Sequence, residues 1–527
     1  MTWLRICCVI LVASVPIAVW SCGSSQPNGG FPGGHDAASG SSSGGTTDED
    51  GGNSDDGPTY KGFGDSGPQP VQGDGGCTNL QCQVHTCGTD ASDAGNTTLS
   101  GQVFDPAGRN PLYNVVVYIP NSQGGALDPI PIGVNSSSCS CGALFSGEPI
   151  VYALTDADGK FTLTNVPDGT MIPLVVQIGK WRKEVPISKI TACTSNDAGK
   201  ITLPKNLTDG SYASIPNIAV STGGADTLEC LLTRVGVDEG FFTGDPNGPG
   251  VHIFQGAGGN GASGSQSSPA ALWDSQNDLM RYDIVMLSCE GDPTTGVDGT
   301  TAGYLAPYVN AGGRVFAEHY HYAFFTSYNT ATGTAYPQFQ NVANWTNLGA
   351  GSTADEPYNA AITGVIEPTL PNGTPFPEGV ALKEWLGNVG ALNAAGEIVV
   401  PEANARDTAT VTATNVSTPW VQTDPSVTPA SAQYFSWDMP FNPPVSDAGV
   451  PEYCGRVVYS DMHVTGTPGA EDYKPLGIGT VPTGCASSTA LSPDEDAIEF
   501  ILFDLSSCIT PVGYTPQPPP PEGGIAQ

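Results

Sequence analysis

The stretch that most constrains the fold runs from Asp283 to His321. It opens D-I-V-M-L-S-C-E-G and closes Y-L-A-P-Y-V-N-A-G-G-R-V-F-A-E-H-Y-H. The apolar run from Asp283 to Ser288 has strand length and stops at Cys289-Glu290-Gly291. A short helix pattern follows, then the Gly312-Gly313 stop and a second strand from Arg314 to Ala317. Strand, helix, glycine stop and strand make a βαβ unit of a parallel sheet. Both strands end in polar, reactive residues: Cys289 and Glu290 on one, Glu318, His319 and His321 on the other. In open α/β sheets that carboxyl edge is where ligands bind.

The chain around this unit has 527 residues, enough for two or three domains with real cores. Its net charge of -35 argues against nucleic acid and anionic membrane surfaces as partners. Charged residues make up only 13%, against 68 Gly and 46 Pro, a balance that suits loop-rich β structure and linkers better than helical bundles.

The N-terminus reads as an export signal. Arg5 precedes an apolar run from Ile6 to Val19, too short for a spanning helix. The run ends V-W-S-C and resembles the lipobox of bacterial lipoproteins, although Trp20 stands where a small residue is usual. That resemblance implies lipidation of Cys22 and, with Gly23 next, delivery to the outer membrane of a cell envelope. Acyl chains of this kind give a stable membrane anchor; ordinary secretory cleavage is the alternative. Residues 23–76 are Gly, Ser, Asp and Pro with few large apolar side chains, a disordered tether rather than a calcium site at Asp48, Glu49, Asp50, Asp55 and Asp56. Residues 510–527 form a Pro-rich tail.

Cys7 and Cys8 belong to the signal and Cys22 to the lipid, so eleven of the 14 cysteines remain. Export favours disulfides over a zinc site built from Cys77, Cys82, Cys87, His85, Cys139 and Cys141. An odd count leaves one thiol free, and Cys289, in the presumed cleft, is the candidate. Residues 77–97 form a Cys-rich connector.

Residues 98–205 alternate as strands around polar turns, a β-sandwich. T-L-S-G-Q-V-F-D-P-A-G, T-D-A-D-G-K-F and N-V-P-D-G resemble the carboxypeptidase regulatory-like (Cna-B-like) family, which implies a stalk or binding accessory. Asp156 and Asp158 suit an Asx turn better than calcium. Lys180, Trp181, Arg182 and Lys183 form a basic-aromatic patch, a candidate ligand surface for polysaccharide or an envelope protein. The alternative is an edge strand blunted by charge.

Residues 216–509 supply helix patterns at 226–236, 270–282, 381–387 and 492–505, a strand at 251–256 and another at 433–441. The loop G-A-G-G-N-G-A-S-G after Gln255 lacks a phosphate-binding pattern. R-Y-D-I-V-M-L-S, Y-V-N-A-G-G-R-V-F-A-E-H and C-G-R-V-V-Y-S-D-M-H-V resemble the ThuA-like branch of the class I glutamine-amidotransferase-like fold; residues 325–450 fit it poorly. The resemblance implies an α/β Rossmann-like (flavodoxin-like) parallel sheet and a link to sugar metabolism. The amidotransferase G-x-C-x-G elbow is missing, and Glu318-His319 stands in its place, so amidotransferase activity is not expected.

His319 and His321, two apart on a strand end, are expected to point the same way, and Asp461 and His463 repeat the spacing. Together they form a candidate set for a divalent metal such as zinc, with Cys289, Glu290 or Glu318 as acid or base. The alternative is a crevice in which Tyr320 and Tyr322 pack with the histidines. The expected function is therefore a lipid-anchored envelope protein presenting a β-sandwich stalk and an α/β ligand-binding domain. An extracytoplasmic carbohydrate-directed hydrolase or isomerase with a His-rich, metal-dependent site is the alternative.

Overall fold

A computed structural model describes residues 77–88, 95–121, 127–135, 139, 145–243, 248–256, 259, 268–291, 299–327, 332–348, 358–402, 404–446, 449–463 and 490–517. The export signal, Cys22, the tether, Cys141, Cys485 and most of the Gly-rich loop after Gln255 lie outside them. The fold is rich in sheet, with some helices. Among the described residues no helix is long and apolar enough to cross a membrane.

Eight strands come first: β1 (Thr98–Phe104), β2 (Val116–Pro120), β3 (Pro149–Leu154), β4 (Lys160–Thr164), β5 (Gly169–Ile178), β6 (Trp181–Ile190), β7 (Ser195–Thr202) and β8 (Ser211–Ser214). They form two sheets, ordered β4-β1-β7 and β3-β2-β5-β6-β8. Period-2 patterning sends Leu99, Val103, Phe161 and Leu163 of one sheet and Val117, Ile119, Leu174 and Val176 of the other into one apolar cluster. The Asp156 carboxylate accepts the backbone N–H groups of Asp158 and Lys160, each at 2.9 Å, so it closes an Asx turn.

The next elements are β9 (Ile218–Thr222), α1 (Leu228–Arg234), β10 (Phe242–Thr243), β11 (Val251–Gln255), α2 (Ala270–Trp273), α3 (Gln276–Leu279), β12 (Ile284–Leu287), α4 (Gly299–Asn310) and β13 (Arg314–Glu318). Two-residue strands β14 (Thr326–Ser327), β15 (Thr334–Ala335) and β16 (Asn344–Trp345) follow. Then come β17 (Ile362–Ile366), α5 (Pro377–Val389), β18 (Ile398–Val400), β19 (Ala409–Thr410), β20 (Thr418–Thr423), β21 (Ala432–Met439), β22 (Gly455–Ser460) and α6 (Pro493–Ser506). Ten strands make one mixed sheet, ordered β10-β11-β9-β12-β13-β22-β21-β20-β17-β18. Strands β10 to β22 in that order run parallel, and the last four alternate in direction.

Alternation along the parallel strands divides the core. Ile218, Val220, Ile284, Met286, Phe316 and Val458 enter one apolar cluster with side chains of α1, α5 and α6. Ala219, Val285, Leu287, Val315, Ala317 and Val457 enter another with α2, α3 and α4. Helix α6 starts with the capping box the sequence signals, Ser492 and Glu495 bonding each other's backbone N–H. The helix expected over 270–282 is two single turns, α2 and α3, broken at Ser275, whose extended backbone interrupts the helical bonds.

The patch at Lys180, Trp181 and Arg182 is not a ligand surface. Trp181 is fully buried against Phe503 of α6, with ring centroids 5.6 Å apart. Lys180 Nζ pairs with Asp283 Oδ1 at 2.5 Å and donates to the Pro131 and Gly133 carbonyls. Arg182 is buried and donates to the carbonyls of Asp128 and Tyr212. Nor is β6 an edge, because β8 covers it. The patch is the seam by which the first two sheets pack on the larger one.

Cysteines Cys77–Cys82, Cys87–Cys193 and Cys139–Cys454 form disulfides, and Cys230 and Cys508 are disulfide-bonded as well. Disulfides thus occupy the cysteines weighed for zinc at Cys77, Cys82, Cys87 and Cys139. Cys289 is the free cysteine among the described residues.

Candidate metal centre

Three adjacent parallel strands, β12, β13 and β22, end side by side. Neighbouring strands lie about 4.8 Å apart, so residues just past their carboxyl ends come within ligating reach of one another. The structure brings Cys289, His319 and His463 together there, with one ligating atom from each inside a 4.8 Å span. Cys289 Sγ lies 3.7 Å from His319 Nδ1, and the two imidazole centroids are 5.3 Å apart. All three side chains are buried.

Local backbone geometry sets each donor. Gly223 lets the β12 end approach β9, since a Cβ there would lie 1.9 Å from the Cys289 carbonyl. The backbone N–H groups of Gly291 and Tyr320 hydrogen-bond toward the sulfur, and the Cys289 N–H donates to Glu318 Oε2 at 3.0 Å. His319 follows the last residue of β13 with φ +30°, in the left-handed region that a non-glycine residue rarely adopts. The Tyr459 hydroxyl secures that turn by donating to the His319 carbonyl at 2.5 Å. Tyr459 also bonds Thr408 Oγ1, and Thr408 is tied to the Asp461 carboxylate. The Tyr320 ring packs tilted against His319, centroids 4.1 Å apart, so the aromatic packing weighed from the sequence is present beside the cluster. His463 donates its backbone N–H to Asn404, whose amide in turn bonds Asp494. Its Nε2 is buried with no hydrogen-bond partner among the described residues.

Burial controls the charge state of the group. It holds the Cys289 thiol well above its ordinary range, against the pull of the Gly291 and Tyr320 N–H groups, with Glu318 and Asp226 pushing further upward. Burial, then His463, Arg406 and His321, holds His319 below the ordinary imidazole range; burial and Arg406 do the same for His463. Neutral imidazoles and a thiol that gives up its proton to a cation are the donor states a transition metal takes. The orphaned His463 nitrogen and the absence of any carboxylate from the group fit such an ion.

The other proposed site residues lie elsewhere. His319 to Phe324 form a 3-10 turn, not a strand end. With three residues per turn, positions two apart diverge, so His321 leaves the cluster. It stacks on Phe324 at 5.7 Å, its Nδ1 lies 3.1 Å from the Glu318 carbonyl, and burial lowers its pKa to about 4. Asp461 is no ligand either: its carboxylate accepts from Thr408 N at 2.7 Å and from Ala409 N. Burial raises Asp461 to about 7 against those bonds. The Glu290 carboxylate lies against Gly256 at the end of β11. Glu318 is committed to the Cys289 N–H, and burial with neighbouring Asp226 pushes its pKa up.

Sequence reasoning missed Tyr459, Thr408, Asn404, Asp226 and Arg406. Tyr459 sits in an apolar strand and reads as core, and Asp226 reads as a helix start. Asn404, Arg406 and Thr408 belong to a span without a legible period.

No protein-family profile and no curated protein matches the chain. Solved structures give low similarity. Two are interface mutants of a type II cohesin–X-dockerin complex from Acetivibrio cellulolyticus, at 16% and 15% identity with TM-scores of 0.13 and 0.12. They cover 20% and 22% of this chain, and 56% and 64% of their own. The third is a 9R-lipoxygenase from Cyanothece PCC8801, at 13% identity and TM-score 0.14, covering 24% of this chain and 19% of that one.

Proposed function

We propose that this chain is a cell-envelope lipoprotein whose α/β domain binds a transition-metal ion through Cys289, His319 and His463. The observation that carries the metal reading is the convergence of three buried donor atoms within 4.8 Å from three neighbouring strand ends. The parallel order β11-β9-β12-β13-β22 supports a flavodoxin-like, ThuA-like domain, because order reverses between β9 and β12 and the carboxyl edge there is the usual ligand edge. Two sheets sharing one core support the β-sandwich reading of residues 98–205. The lipid anchor rests on the sequence around Cys22. Glu290 lies against Gly256, and Glu318 is held by the Cys289 N–H, which favours a binding role over hydrolysis.

Elemental analysis of the full chain without a His tag, after exposure to zinc, cobalt and copper salts, tests the reading. One equivalent of metal is expected. It is lost in Cys289→Ser and His319→Ala and kept in His321→Ala. No bound metal in the wild type, or equal loss in His321→Ala, refutes it.

A further inference from the structure

We propose that the Cys289–His319–His463 group is a copper centre that cycles between Cu(II) and Cu(I). This rests on the metal-binding reading above and adds the ion and its chemistry. The donor set is one thiol sulfur and two imidazole nitrogens, with no carboxylate in the group. Calcium and magnesium take oxygen ligands, structural zinc takes four protein ligands, and catalytic zinc with three keeps a fourth position open to water, whereas Cys289, His319 and His463 are all buried; a trigonal set of two His and one Cys is the arrangement of copper electron-transfer sites. Metal–nitrogen and metal–sulfur bonds of about 2.0 and 2.3 Å meeting near a trigonal angle place N and S roughly 3.7 Å apart. The observed Cys289 Sγ to His319 Nδ1 separation is 3.7 Å.

The surroundings of the sulfur agree. Two backbone N–H groups, from Gly291 and Tyr320, already point at it, and the site is buried among aromatic rings. Hydrogen bonds to the sulfur and an apolar shell are the means by which such centres set their potential. The three ligands hang from packed neighbouring strands, and the Tyr459 hydroxyl holds the His319 turn at positive φ. A frame of that kind changes little when the ion changes charge.

The chemistry balances simply. Cu(II) binding forms the Cu–S bond and releases the thiol proton to solvent. Reduction then moves one electron to Cu(II) from a diffusible one-electron reductant of the ascorbate class, giving Cu(I) with the sulfur still a thiolate and no bond broken, and a one-electron oxidant of the ferricyanide class takes that electron back. The bonded cysteines take no part.

The test uses the metal-stripped full chain without a His tag, titrated anaerobically with Cu(II). An intense visible thiolate-to-copper charge-transfer band is expected at one equivalent, with the narrow parallel hyperfine splitting of a trigonal centre. Ascorbate bleaches the band and ferricyanide restores it. Cu(II) displaces previously loaded Zn(II), releasing one equivalent of zinc as the band grows, Cys289→Ser abolishes the band, and His321→Ala leaves it unchanged. If zinc binds at one equivalent dependent on Cys289 but Cu(II) gives only weak tetragonal absorption, the copper proposal falls while the metal reading stands. If none of copper, zinc or cobalt binds in a Cys289-dependent way, both fall. Zinc competition on the wild type needs no variant to fold.

Discussion

Replacing Asp496 by asparagine should stabilise the protein at neutral and alkaline pH. Asp496 lies in the first turn of α6, against Asn110 in the loop that follows β1. Asn110 Nδ2 donates to its Oδ1 at 3.0 Å and to Glu499 Oε2 at 2.6 Å. Burial raises its pKa from 3.8 to about 7; the Asn110 bond opposes this, and Glu495, Asp494 and Asp105 add to it. A carboxyl whose folded pKa lies above its unfolded value favours the fold fully below the unfolded pKa. That contribution is lost as pH rises through the folded pKa. The shift caps the loss at about 4 kcal/mol. Attraction of the charged form to the helix N-terminus, worth about 0.3–1 kcal/mol, reduces the expected value to about 3 kcal/mol. The introduced side-chain amide keeps an acceptor for Asn110 and carries no charge to bury. Urea midpoints under non-reducing conditions at about pH 5 and about pH 8 should show the variant ahead at the higher pH, the gap closing at the lower. A variant equal to or weaker than wild type at about pH 8, or a gap independent of pH, would refute the reasoning.

Lys180→Ala leaves the Asp283 carboxylate buried without its cation and should cost about 3–5 kcal/mol in unfolding free energy, most of it recovered by adding Asp283→Asn. An unchanged denaturation midpoint would remove the seam argument. Tyr459→Phe deletes the hydroxyl that holds the His319 carbonyl. Metal affinity should fall about 10–100-fold while near-ultraviolet circular dichroism stays native, measured by competition with a chelator of known strength. Undiminished affinity would show that His319 needs no such support.

The parallel unit at Asp283 to His321 was legible because both faces of the sheet are covered and the strands read as uninterrupted apolar runs. The capping box of α6 was legible because Ser492 and Glu495 answer each other across one turn. Cys289 was legible as the free thiol from parity and position. The role of His321 was not, because Glu318-His319-Tyr320-His321 reads equally well as a continuing strand or as a turn. The choice was made by the Tyr459 hydroxyl, 140 residues further on, capturing the His319 carbonyl. Lys180, Trp181 and Arg182 carry the composition of an exposed patch, but Phe503 and Asp283, far along the chain, turn them into a seam.

What the sequence alone determined is therefore local and periodic: the strands and glycine stop around Asp283 to His321, the cap of α6, the edge that carries reactive side chains, and Cys289 as the free thiol among the described residues. The tertiary structure decided which of those side chains meet. Strand order puts the ends of β12, β13 and β22 next to one another, and a single turn at positive φ rotates His319 toward Cys289 and His463 and His321 away. Both depend on contacts between residues distant in sequence, which no local pattern encodes.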